Sequence, residues 1–413
     1  MDLPDPPSLD PWTLTARWVF PVDGPPLERG TVTLRGERIE AVEPRGNRAP
    51  DFDLGNAALL PGLVNAHTHL DLSGLRGKCP PTPDFIEWLR SIIRHRRDIT
   101  PEQIQKDIRA GLAESFRFGT TLVGDIAAGG ASWDQLAAAP LRATVYYELL
   151  GLTEARCRQN LTAAQEWLAA HPCSRTCRPG WSPHAPYSLA GIGFQAAAAK
   201  SRAASFPMAI HLAETVAEKE LLGTHSGPFV GFLTELGVWA PDQLARDWEV
   251  VLNFTAAAKP VAYIHANYLR SDAPLTAGST IVFCPRTHAA FGHPPHPFPD
   301  FLARGVRVAL GTDSLASNPD LDVLAEARYA HAHYPQVSGE LLLRMATLSG
   351  AEALGWGDMA GSLTGGKSAD LVVLPLPAEE RHDPHLLVLE SDLAIGQVLW
   401  RGRWRRASGA SSA

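Results

Sequence analysis

LVNAHTHL (63–70) decides the fold, because its pattern returns three times along the chain. The same build recurs in MAIHLAET (208–215), AYIHANYL (262–269) and VALGTDSL (308–315). Each is a short apolar run of strand type with a polar, metal-type residue at or just past its end. If these runs are parallel strands of one barrel, His67, His69, His211, His265 and Asp313 share one rim. Working outward, eight β-like runs lie near 58–66, 120–126, 143–150, 179–183, 207–212, 261–266, 279–284 and 306–312. Most are followed by a helical pattern, as in 101–119, 155–171 and 341–355. Continuous apolar strands alternating with helices predict a parallel sheet. Eight such units predict a closed (β/α)8 TIM barrel, an α/β fold whose site lies at the C-terminal strand ends. A doubly wound open sheet competes, but it explains less well why the first, fifth, sixth and eighth strands should converge.

The chain has 413 residues, which fits one domain of roughly 300 residues and a smaller one. Residues 12–58 read as short strands between turns, and 369–376 and 394–406 resemble them. Neither end alone makes a stable sheet, so the two are expected to form one small β-sandwich. The predicted division is 1–58 and 365–413 for the two sandwich parts and 59–364 for the barrel. The basic run Arg401–Arg406 reads as an edge strand blunted by charge, with a phosphate-binding patch as the alternative. A net charge of -7 argues against nucleic acid and anionic membrane surfaces as partners. No apolar run reaches ~18 residues, so no membrane span is expected. The acidic, proline-rich start MDLPDPPSLDPW lacks the order of a signal peptide. Five cysteines, an odd count, argue for a reducing cytoplasm, with Cys173 and Cys177 as ordinary thiols. A homodimer is the assembly expected if the chain associates.

His67-Thr68-His69 puts two imidazoles on one side of a strand end. His211 can complete a facial set of three nitrogens, and Glu214, three residues on, can reach a metal-held water without being a ligand. His265 can be a fourth ligand or can polarise the substrate. Asp313 can bind metal and also accept a proton, although a helix N-cap would use the same residue. Imidazole and carboxylate ligands with an open position for water suit zinc, and the chemistry that follows is hydrolysis. Two long excursions, 71–100 and 215–260, leave the same rim, where lids and substrate walls are usually built.

PGLVNAHTHLDLS (61–73), SPHAPYS (182–188), HLAET (211–215), HANYL (265–269) and GTDSLASN (311–318) resemble the amidohydrolase superfamily, in its branch of chlorohydrolases and nucleoside deaminases. The resemblance implies one divalent metal, Zn2+ or alternatively Fe2+, held by His67, His69, His211 and Asp313. It implies Glu214 and His265 as the catalytic pair, with Asp313 taking a proton. Binuclear branches use a modified lysine on the fourth strand, and RPGWSPHAP (178–186) has none. His184, His288, Ser317 and Asn318 match positions near substrate in relatives, where asparagine often replaces His288. His293 and His296 read as a proline-bound loop turned to solvent, with a second metal site as the alternative. The wording is most similar to aminofutalosine deaminases, which act on an adenine-containing menaquinone precursor ending in a benzoate. Arg94, Arg97, Arg156 and Arg286 are the candidates for that carboxylate. Rival substrates for such a small-molecule heterocycle hydrolase are methylthioadenosine or S-adenosylhomocysteine, guanine and triazines. The ribose-binding glutamate of the first rival group is missing from RSIIRHRR (90–97, preceded by L89). A metal-free, non-catalytic scaffold is the remote alternative, disfavoured because all six core residues are present.

Overall fold

The computed structural model describes residues 11–405. Eight parallel strands form one sheet in consecutive order. They are Leu63–Thr68, Thr120–Ala127, Arg142–Leu149, Cys177–Pro183, Met208–Leu212, Val261–His265, Ser279–Phe283 and Arg307–Leu310. The backbone N–H groups of Thr312 and Asp313 both donate to the His67 carbonyl at 3.1 Å, which ties the eighth strand back to the first. The sheet is therefore a barrel, as the apolar runs predict.

Alternation along the strands sorts the core into two layers. Met208, Ile210 and Leu212 pack outward with Val261, Tyr263, Val308 and Leu310 against the helices. Ala209, Ala262, Ile264, Val282 and Ala309 fill the interior with Val64, Tyr146 and Trp356. By this parity His211 shares the inner face with Ala209. The first strand is irregular instead, with a register shift between Asn65 and Thr68. Such irregularities re-aim side chains at barrel rims.

Two predicted elements divide. The run 58–66 is two strands, Ala57–Pro61 and Leu63–Thr68, lying in different sheets. Gly62 joins them where a Cβ would meet the Thr121 side chain, so the chain turns from one sheet to the other at a point too tight for a side chain. The run 341–355 is two helices, Gly339–Met345 and Leu348–Ala353. Elsewhere the helices Pro101–Arg117 and Glu154–Ala170 lie within a residue or two of expectation.

Two further sheets lie beside the barrel, one of four strands drawn from residues 12–53 and one of six in which the two ends of the chain meet. Leu371–Pro375 pairs antiparallel with Ala57–Pro61, joining the C-terminal segment to the N-terminal one. Leu14, Val32, Leu34, Leu59, Leu371 and Leu399 form the core between the sheets. Arg403–Arg405 is the edge strand of the larger one. Arg406 and most of the N-terminal stretch read for a leader lie outside the described residues. Among the described residues no helix is long and apolar enough to cross a membrane.

Candidate active site

Three imidazoles meet at the C-terminal rim. Ligand nitrogens of His67, His69 and His211 lie within 4.8 Å of one another, and all three residues are buried. Asp313 closes the fourth side, with Oδ1 3.4 Å from His67 Nε2 and 3.7 Å from His69 Nε2. Both ring nitrogens of His67 and Nδ1 of His69 are buried without a hydrogen-bond partner. Buried polar atoms are normally paired, so a cluster of orphan nitrogens beside a carboxylate fits a divalent cation. His211 Nδ1 lies 3.1 Å from the His184 carbonyl, which fixes that nitrogen as the donor and leaves Nε2 for a metal.

Other residues hold this set in place. Ser317 donates to Asp313 Oδ2 at 2.7 Å, and Thr68 donates to the Asp313 carbonyl at 3.0 Å. The Asn65 amide bridges to Thr312 in both directions. A Cβ on Gly311 would lie 2.9 Å from His67 Cβ, so the glycine of GTDS permits the close approach of the eighth strand to the first. His265 and Asp313 have φ of 66° and 58°, and Ala213, two residues after His211, has 55°. Left-handed backbone is unfavourable for such residues and collects at functional sites.

Glu214 faces His265, with Oε1 3.4 Å from Nε2. Burial, then the nearby charges of Asp313 and Glu218, push the Glu214 carboxyl well above its usual range. Burial lowers His265 to about 3, so its imidazole is neutral. Burial alone would raise Asp313, but the close approach of His67 and the surrounding imidazoles hold it well below the usual carboxylate range. One site therefore holds a carboxyl biased toward its protonated form, a neutral imidazole and a carboxylate, which is the equipment of an acid–base reaction.

These groups floor a small cavity of ≈ 60 Å³ walled by Leu72, Phe85, Trp88 and Tyr187. Leu89, Ile92, Arg96, Glu148, His184 and Tyr187 line both it and a neighbouring cavity of ≈ 330 Å³. Arg97 and Arg156 line the outer cavity, with Leu152, Phe232, Leu233 and Leu236 between. Arg94 instead lines a separate hollow with Arg90 and Glu235. Arg286 is spent on Asp320 and Glu326, at 2.6 and 2.7 Å. Asn318 donates to the Thr312 carbonyl and to Glu326, behind the metal-type cluster. His288 Nδ1 lies 3.0 Å from the Asn267 side-chain oxygen and Nε2 2.8 Å from the Pro294 carbonyl. The loop read as turned to solvent is exposed at Gly292, Pro294 and Pro295 but turns inward at His296. His296 is 2% exposed, and its Nε2 lies 2.7 Å from the His265 carbonyl. His293 Nδ1 lies 3.0 Å from the Tyr268 hydroxyl, and among the described residues His293 and His296 belong to no cluster of three or more metal-type side chains, so the second metal site read as the alternative does not form.

Arg96 escaped the sequence reading, which singled out its neighbours. It reaches Asp71 and Glu148, each at 3.1 Å. In the helix Phe85–Asp98 it continues the face of Phe85, Trp88 and Ile92 at helical spacing, so a turn-by-turn reading reaches it. Glu148, ending the third strand, carried no motif.

Residues 58–405 match the model of the Amidohydrolase family. A 5-methylthioadenosine/S-adenosylhomocysteine deaminase from Moorella thermoacetica is 29% identical over 89% of this chain and 85% of its own length. An aminodeoxyfutalosine deaminase from Deinococcus radiodurans is 29% identical over 72% of this chain and 74% of its own. A solved adenosine deaminase from Xanthomonas campestris with bound zinc is 25% identical, with a TM-score of 0.78, over 97% of this chain and 93% of that one. The family match takes in every barrel strand and the C-terminal strands, so the whole rim just described falls inside it: the chain belongs to the amidohydrolase family and is a hydrolytic enzyme.

Proposed function

We propose that this enzyme hydrolytically deaminates the adenine ring of a nucleoside, using one divalent metal held by His67, His69, His211 and Asp313. The observation that carries this reading is Glu214, its carboxyl pushed up by burial, set 3.4 Å from neutral His265 beside the four-residue cluster. When bound, the metal supplies a water activated for attack at neutral pH. Zn2+ suits the nitrogen-rich donor set, with Fe2+ as the alternative. Elemental analysis should find one equivalent per chain, and two at full occupancy would defeat the assignment.

The remaining work falls to the chain. Glu214 gives its proton to a ring nitrogen, which makes the amine-bearing carbon electrophilic. Asp313 accepts a proton from the incoming water, and His265 hydrogen-bonds the charge that develops. Glu214 then takes up the hydroxyl's remaining proton as the carbonyl forms, and the proton held by Asp313 passes to the departing amine. Water's oxygen becomes the ring carbonyl, and the nitrogen leaves as ammonia.

The outer cavity supports a substrate with an aromatic tail ending in a carboxylate, as in aminofutalosine. Its walls are apolar, and Arg97 and Arg156 stand among them. The chain would then act in menaquinone biosynthesis. The second reading, methylthioadenosine or S-adenosylhomocysteine, is favoured by the relatives that carry those names. Comparing kcat/KM for aminofutalosine, adenosine, methylthioadenosine, S-adenosylhomocysteine and guanine separates them. Aminofutalosine should lead. A tenfold preference for a thioether nucleoside or guanine, about 1.4 kcal/mol of transition-state binding, would sink the substrate and spare the deaminase. If none releases ammonia, amide or halide hydrolysis on another heterocycle takes its place. Arg156→Ala should cost aminofutalosine roughly tenfold or more in kcat/KM, the scale of a charged hydrogen bond, and leave adenosine unchanged.

A further inference from the structure

The opposite end of the barrel carries a second concavity, of ≈ 420 Å³, among whose lining residues are five arginines: Arg38, Arg142, Arg175, Arg178 and Arg401. Arg142 and Arg178 stand at the N-terminal ends of the third and fourth barrel strands. Arg38 and Arg401 come from the small sheets packed beneath. The catalytic rim lies a full strand length away, roughly 20 Å at the usual rise.

The guanidinium groups are not all accounted for by internal pairing. Arg142 is ion-paired with Asp370, and Arg401 with Glu37. Arg178 donates to the Gly355 carbonyl and lies 3.8 Å over the Trp356 ring. Arg38 donates to the Gly366 carbonyl. Among the described residues no carboxylate forms an ion pair with Arg38, Arg175 or Arg178. Glu37 and Asp358 are the carboxylates in the wall, set against the five arginines. The Arg142 side chain is 3% exposed, and its Nε is buried without a partner. This positive concavity sits on a chain of net charge -7, so it is a local arrangement and not a product of composition. Clustered positive charge in a concave wall focuses the field on small anions.

We propose that this cavity binds a small anion carrying two or more phosphoryl groups. Guanidinium forks match phosphate oxygens in pairs, and arginines spread around one cavity suit more than one phosphate. The anion can be free pyrophosphate or the diphosphate of a nucleotide. Trp356 is 1% exposed beneath Arg178 and offers no stacking face, so the phosphates alone set the affinity.

Titration calorimetry on the metal-loaded full chain tests this with orthophosphate, pyrophosphate and ADP. Pyrophosphate and ADP should bind saturably with affinities within about threefold of each other, and orthophosphate roughly tenfold more weakly, as one fork rather than several is filled. Arg38→Glu and Arg175→Glu, both at exposed positions, should each weaken pyrophosphate by about tenfold or more and leave ammonia release unchanged. No saturable heat with pyrophosphate at physiological salt would overturn the site. So would pyrophosphate binding that survives both substitutions. Binding of ADP without pyrophosphate would overturn the claim that phosphates set the affinity.

Discussion

Glu214→Gln keeps its metal and loses turnover, by on the order of 10²–10⁴-fold, the usual contribution of a positioned general acid–base. Glutamine has the size of glutamate, and the backbone there is held independently of the side chain. The Glu214 carbonyl accepts from the Asn267 amide at 3.0 Å, and its N–H donates to Glu218. What the amide cannot do is surrender a proton to the ring. The check is paired: metal content by elemental analysis and kcat by ammonia release. A variant keeping more than a third of wild-type kcat removes Glu214 from the mechanism. The direction of its pKa adds a second signature. Because burial and like charge raise it, activity should fall as pH rises through the deprotonation of this acid.

His67→Ala removes both the metal and the activity. His67 is wholly buried and is the neighbour shared by His69, His211 and Asp313. Its loss leaves a hole in the donor set that water fills poorly. Even partners one shell out typically change metal affinity by ~10–100-fold, so a ligand should cost at least that. The same deficit should appear when a chelator strips the wild-type protein. A metal that binds only the folded state stabilises it by mass action, so stripping should also lower Tm. Restored activity on adding zinc to the stripped wild type, but not to the variant, is the expected pattern. A variant that binds metal with wild-type affinity would remove His67 from the ligand set.

The barrel was legible because buried parallel strands are apolar on both faces, and such runs stand out against amphipathic helices. The convergence at the rim was legible because its histidines and aspartate sit at strand ends, in motifs such as HTH and GTDS that need few residues to state. Features made by distant partners were harder to see. Arg96 is one arginine among several in a basic helix until Asp71 and Glu148 are seen to converge on it. Arg286 looked like a rim cation because nothing near it in sequence announces Asp320 and Glu326. The loop holding His293 and His296 is rich in proline and reads as exposed, yet the His296 imidazole braces the backbone behind His265. The break at Gly62 was hidden because one apolar run serves two sheets in turn.

The paired bonds from Thr312 and Asp313 to the His67 carbonyl carry a consequence for synthesis of the chain. The same contacts that shut the barrel also bring Asp313 to the imidazoles. During translation, His67 and His69 leave the ribosome long before Asp313 does. A nascent chain stalled ahead of the eighth strand would hold histidines but no finished cage, and would capture cations only loosely. On the proposed ligand set, tight metal uptake would mark completed folding, because the set closes only once the last strand has docked against the first.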